Sequence, residues 1–220
     1  MKTSVYPLKQ LYLLLGLLVL VLAWSAANEH FVKWLLLSIW VLAGIPLLIA
    51  VFRRFAFTPV TYLFIFVHAC ILLVGAHYTY QKVPLGFWMQ DLFALGRNPF
   101  DRVGHFAQGF VPALIIREIL LRRSPLISGK WLFFLVLCVA MAVSMIYEFI
   151  EWWTAVSFPQ RADPHENAAL FLAKQGDPWD TQWDMLMATI GAALSQLLLS
   201  GIQDRQLQHY RLVDSGRSTP

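Results

Sequence analysis

Three pairs of chemically capable side chains recur at one-turn spacing in the second half of the sequence: Asp101 with His105, Glu148 with Glu151, and Asp180 with Asp184. Residues three or four apart share one face of a helix, so each pair presents two polar groups together. A carboxylate one turn from an imidazole orients the ring, which suits a general base or a metal ligand. Gln108 extends the Asp101–His105 stripe by a further turn. Two carboxylates as close as Glu148 and Glu151 cannot both ionise freely in a poorly solvated place unless a cation stands beside them. That arrangement fits a general acid/base couple, a divalent-ion site or the proton-binding site of a carrier. Tyr147 and Ser144 lie nearby as hydrogen-bonding groups.

Plainer roles account for some of these residues. Asp101 and Asp180 stand where helix N-caps are expected. Glu151, beside Trp152 and Trp153, fits a water-exposed interfacial position, with Glu148 paired to Arg102. Asp177 reads as a turn residue, His77 as an interfacial side chain and His68 as a mid-span packing residue. His105, Glu148 and Asp184, with Asp101 behind the imidazole, are left without such a role. They are the candidate catalytic residues, and His105, Glu148 and Asp184 are the candidate ligands of a divalent cation. Arg102, Gln108, Glu151 and Asp180 are candidate substrate-binding residues around them.

The elements that must position these groups are membrane helices. Of 220 residues, 58% are hydrophobic and only 14% charged, where a soluble domain has roughly 25% charged residues. The chain therefore lacks the charge to coat a water-facing surface, and its mean hydropathy is +0.59. Six apolar runs approach or exceed the ~18–20 residues that cross a bilayer as a helix. They fall near 11–27, 31–52, 58–80, 103–121, 131–153 and 181–202. The expected fold is an all-α polytopic membrane bundle in a single domain. The first run is expected to remain as an uncleaved span, although Ala23-Trp24-Ser25-Ala26-Ala27 also fits a signal-peptidase site. Pro112 is expected to kink the fourth span.

The net charge of +4 gives no reason to expect nucleic acid, because Lys and Arg gather at span ends. Eleven of them fall on one side and six on the other, which by the positive-inside rule puts both termini in the cytoplasm. The acid and His pairs then lie at the outer ends of their spans. On the inner side, Arg117, Glu118, Arg122 and Arg123 read as a charged anchor that also attracts anionic lipid. Two outer loops carry structure. Residues 86–99 include Phe87, Trp88, Leu92, Phe93 and Leu95, an aromatic stretch suited to the interface. Asp163-Pro164-His165-Glu166 has the form of a capping box opening a short helix. Gly191, Ala192, Ala193 and Ser195 offer a small-residue surface for close helix packing. Cys70 and Cys138 both lie inside apolar runs and suggest neither a disulfide nor a zinc site.

Three segments carry a family likeness. Arg97-Asn98-Pro99-Phe100-Asp101-Arg102-Val103-Gly104-His105, Tyr147-Glu148-Phe149-Ile150-Glu151-Trp152 and Gly176-Asp177-Pro178-Trp179-Asp180-Thr181-Gln182-Trp183-Asp184-Met185 resemble the YjdF-like family of bacterial inner-membrane proteins. Spans four to six also resemble VanZ-like membrane proteins. In those an Asp-Lys-x-x-His motif, an acid in the next span, and an Asp ahead of a small-residue helix follow in the same order. Here Arg102 stands where that pattern has Lys, and the loop before span six is an addition. The second likeness implies a role in the cell envelope.

Together these features point to an inner-membrane protein with an acid/His pocket at the outer face, which binds or processes an amphiphilic, lipid-linked envelope molecule. Whether it is an enzyme stays open, since nucleophile signatures and phosphate-cradling Gly loops are missing. A proton- or cation-coupled carrier using Glu148 and Asp184, and a non-catalytic assembly subunit, are the alternatives.

Overall fold

The computed structural model describes residues 8–27, 31–52, 54–157 and 177–215, apart from the side chains of 155 and 211–215. Among the described residues there is no strand, only helices: α1 (Leu8–Ala26), α2 (Phe31–Leu37), α3 (Ile39–Phe52), α4 (Pro59–Tyr78), α5 (Pro84–Leu92), α6 (Phe100–Arg123), α7 (Lys130–Ser157) and α8 (Asp180–Ser215). A bilayer offers no hydrogen-bond partners to an open backbone, so apolar spans close their own bonds as helices. Five helices, α1, α4, α6, α7 and α8, are long and apolar enough to cross a membrane. Taken together, α2 and α3 meet the same test, bent by 51°, which allows up to six crossings.

That bend departs from the straight span expected over 31–52, because its two halves answer to different neighbours. Trp34 in α2 donates its indole N–H to Ser25 Oγ at the end of α1 (3.1 Å). Val41 in α3 instead joins a buried cluster with Leu18, Ala69 and Leu73.

α6 is the central helix, packing on α4, α7 and most extensively on α8. Two glycines let α6 and α8 approach: a Cβ at Gly109 would strike the Ala188 carbonyl, and one at Gly191 would strike the Phe106 carbonyl. The small-residue face of α8 therefore does the packing work expected of it. Beside this seam, Ala113, Leu132, Val136, Ala140 and Ala192 form a dry core between α6, α7 and α8.

One end of the bundle is shaped by the chain reversal at the end of α4. Thr79 and Tyr80 both take left-handed backbone angles (φ 58° and 55°), a conformation that non-glycine residues adopt rarely and under strain. The reversal turns the Tyr80 ring back over Gly75, where a Cβ would collide with it. α5 then presents Leu85, Phe87, Trp88 and Leu92 outward and Val83 and Gly86 inward. The aromatic stretch expected to suit the interface is thus exposed. Asn98 links α5 to α6, donating to Val83 O (3.1 Å) and accepting from Phe100 N (3.0 Å).

At the opposite end, the group expected to be a charged surface anchor is largely an interior network. Glu118 is fully buried and accepts from Thr58 N (3.0 and 3.1 Å), Thr58 Oγ1 (2.8 Å), Thr61 Oγ1 (3.0 Å) and Arg122 (2.8 Å). It thereby caps α4 from another helix. Arg117, also buried, pairs with Asp204 (2.8 Å) and Gln203 (2.9 Å) of α8. The reason the anchor reading fails is that α8 continues well beyond residue 202. Gln203 and Gln206, polar enough to look like an exit from the membrane, are bonded to α6 and to Val60 N of α4. Only Arg123 keeps the exposed position expected of it.

Candidate functional site

The first turns of α6 and α8 and the last turns of α7 meet at the α5 end of the bundle. Helix N-termini carry partial positive charge and favour anions nearby, which suits Asp101, Asp180 and Asp184 in the first turns of α6 and α8. The Gly109–Ala188 contact sets the distance between these two helices. One turn back from it on each helix stand His105 and Asp184.

His105 is the centre of the group, with 4% of its surface exposed. Its Nε2 lies 3.7 Å from Asp101 Oδ1 and 3.7 Å from Asp184 Oδ2. Its Nδ1 lies 3.6 Å from Glu148 Oε1 on α7. These separations exceed the ~2.7–3.2 Å of an N–H···O hydrogen bond, so the ring is surrounded by carboxylates rather than bonded to them. Tyr147 stands edge-on to the imidazole with ring centroids 5.6 Å apart, and Gln108 makes polar contact with it. The four residues left without a plainer role in the sequence are thus brought together from three helices.

The surrounding residues depart from expectation in instructive ways. Asp101 is not the N-cap of α6, a place taken by Pro99; it sits inside the first turn, buried. Asp180 is likewise buried, with its carboxylate 2.6 Å from Arg97. Glu151 is buried and not interfacial, within electrostatic reach of Glu148, Asp101 and Asp184. Arg102 does not pair with Glu148. It bonds Asp177 (2.7 Å) and lies over the Trp183 ring (5.1 Å), tying the approach of α8 to α6. Asp177 does serve as the expected turn residue, accepting from Trp179 N (2.9 Å). His77 is outside the group, stacked on Trp24 (4.5 Å) and 3.1 Å from Ser25 O. The capping box at 163–166 lies outside the described residues.

Arg97 is the residue that sequence reasoning passed over. It reaches Asp180 and lies 3.7 Å from Asp101, and its four-residue spacing from Asp101 was the available signal. Even so, five buried carboxylates, Asp101, Glu148, Glu151, Asp180 and Asp184, gather there, and among the described residues the cations acting on Asp101 are Arg97 and Arg102. Buried negative charge of this kind is offset by cationic side chains, by protons or by a bound cation. Ser144 adds a buried hydroxyl, one turn before Glu148 on α7, that makes no hydrogen bond. Thr154 and Thr189, by contrast, bond back to their own helices (2.7 Å each).

Comparison with known proteins agrees with the first family likeness and adds no support for the VanZ-like one. The chain is 45% identical over 197 residues to the inner membrane protein YjdF of Escherichia coli (strain K12), covering 89% of this chain and 91% of that protein. No solved structure matches it. A similarity of that extent, with several apolar helices, makes it a multi-pass protein of the inner membrane. The family model described as "Predicted membrane protein (DUF2238)" matches residues 10–205, and the chain belongs to that family of membrane proteins.

Proposed function

We propose that the chain binds an amphiphilic cell-envelope molecule at the His105 pocket and processes it there. The observation that supports this most is the meeting of three carboxylates on one buried imidazole. Phe149, Trp152, Trp153 and Trp183 are exposed around the same turns of α7 and α8. Aromatic side chains of this kind settle at the headgroup level of a bilayer. A molecule lying in the leaflet would place its polar group toward the pocket and its chains against these rings. The charge bias of the sequence puts this end on the outer side, with both chain termini in the cytoplasm. In this scheme His105 is a base or ligand, Asp101 and Asp184 face its Nε2, and Glu148 faces its Nδ1. Arg102, Gln108, Glu151 and Asp180 form the surround.

A carrier is supported less well, because the acids cluster at one end and not at the midplane where coupled transporters place theirs. The test is the lipid and envelope-precursor profile of cells lacking the protein, complemented with wild type or with His105→Ala. Wild type is expected to restore the normal profile and His105→Ala to leave it altered at equal protein abundance. Equal restoration by both would refute the proposal.

A further inference from the structure

We propose that Asp101, His105 and Asp184 bind a divalent transition-metal ion, with Glu148 positioned behind the imidazole. The proposal rests on the reading of this pocket as the functional site, and names the ion that the pocket takes.

The spacing is the first argument. One ligand atom from each of the three residues lies within 4.8 Å of the others, and His105 Nε2 is 3.7 Å from an oxygen of each aspartate. Around an ion with bonds of about 2.0–2.2 Å, tetrahedral neighbours stand roughly 3.3–3.6 Å apart. The two imidazole–aspartate separations need to close by about a few tenths of an ångström, and the remaining separation in the set, bounded by 4.8 Å, by about an ångström at most, to place all three on one ion.

The second argument is a buried oxygen: Asp184 Oδ1, on a residue 1% exposed, makes no hydrogen bond. Folded proteins seldom leave such atoms unmatched without a reason.

The third argument is the division of labour on the ring. Nε2 faces the two aspartates while Nδ1 faces Glu148 (3.6 Å). A metal-bound imidazole commonly gives its other N–H to a carboxylate, which fixes tautomer and orientation. Glu148 Oε1, 3.6 Å from Nδ1, stands where a short movement would let it accept that N–H. Two oxygen donors and one imidazole suit Zn²⁺, Mn²⁺ or Fe²⁺ better than the all-oxygen set of Ca²⁺. Three protein ligands also leave a coordination position open, as in sites where the ion meets a substrate oxygen.

The experiment is elemental analysis of the full chain purified in detergent, followed by chelator treatment and retitration with Zn²⁺ and with Mn²⁺ under thermal unfolding. The expected result is close to one ion per chain, and a saturable rise in melting temperature on retitration. Asp184→Asn and His105→Ala should weaken binding at least tenfold, and Glu148→Gln by about 10–100-fold, as for other residues behind a ligand. Asp91→Asn on exposed α5 should bind as wild type does. Wild type that carries no ion and is stabilised by neither overturns the proposal, as would pocket variants binding like wild type. Should the variants fail to fold, the wild-type retitration decides alone. No amphiphile enters this measurement, so its failure is separable from failure of the lipid-profile test.

Discussion

Gly109 of α6 lies so close to the backbone carbonyl of Ala188 in α8 that no side chain fits between them. This contact is what allows His105 and Asp184, each one turn nearer the helix starts, to come within 3.7 Å. It ties a packing feature directly to the geometry of the pocket.

Gly109→Ala should therefore disturb both. Overpacking of this kind typically costs about 1–3 kcal/mol. Lower thermal stability in detergent is expected, and a disturbed pocket with it. Gly16→Ala, where a Cβ would meet nothing, should leave stability unchanged.

Glu118 should prove the most costly single carboxylate to neutralise. It takes bonds from Thr58, Thr61 and Arg122 with no exposure to solvent. Breaking a buried charged network by removing one partner costs about 3–5 kcal/mol. Glu118→Leu is expected to reduce stability by that amount, and Thr61→Ala by about 1 kcal/mol. Chemical denaturation in mixed micelles would measure both.

The two arginines near the pocket should differ. Arg97 serves two buried acids with its side chain 10% exposed, whereas the Arg102–Asp177 pair is 23% and 18% exposed. Arg97→Gln is expected to destabilise by several kcal/mol, because it removes a buried charge partner of Asp180 and Asp101. Arg102→Gln should cost about 1 kcal/mol or less. Paired melting curves of the two variants provide the check.

Sidedness can be read with cysteines. With Cys70 and Cys138 replaced, Asp91→Cys on α5 and Ile127→Cys between α6 and α7 are both exposed and at opposite ends of α6. A membrane-impermeant maleimide added to intact spheroplasts should label Asp91→Cys and spare Ile127→Cys. The reverse pattern would turn the protein over in the membrane.

The spans were legible because apolar run length is nearly all that a bilayer requires, and α4, α6 and α7 start and stop within four residues of the expected limits. The bend between α2 and α3 was not, since Trp34 and Val41 are equally apolar and only their separate partners part them. His105, Glu148 and Asp184 could be picked out because capping, solvation and packing each failed to explain them. Glu118 and Arg117 were misread for the complementary reason. Their basic surroundings matched a topology rule so well that burial was not suspected. Whether a charge faces lipid, water or another helix depends on distant residues such as Gln203, and no local pattern reports that.

The Glu118 network has a consequence for how variation in this protein should be interpreted. At one end of α6 Glu118 is matched in hydrogen bonds, while at the other His105 Nδ1, and Ser144 Oγ of the facing α7, lack them. Substitutions at the matched end should show themselves as loss of protein from the membrane, through clearance of the unfolded chain. Substitutions of His105 itself should leave abundance largely intact and alter the cell's phenotype, with Arg97, which pairs buried acids at that end, the exception. A saturation library scored separately for abundance and phenotype would then divide along the length of a single helix.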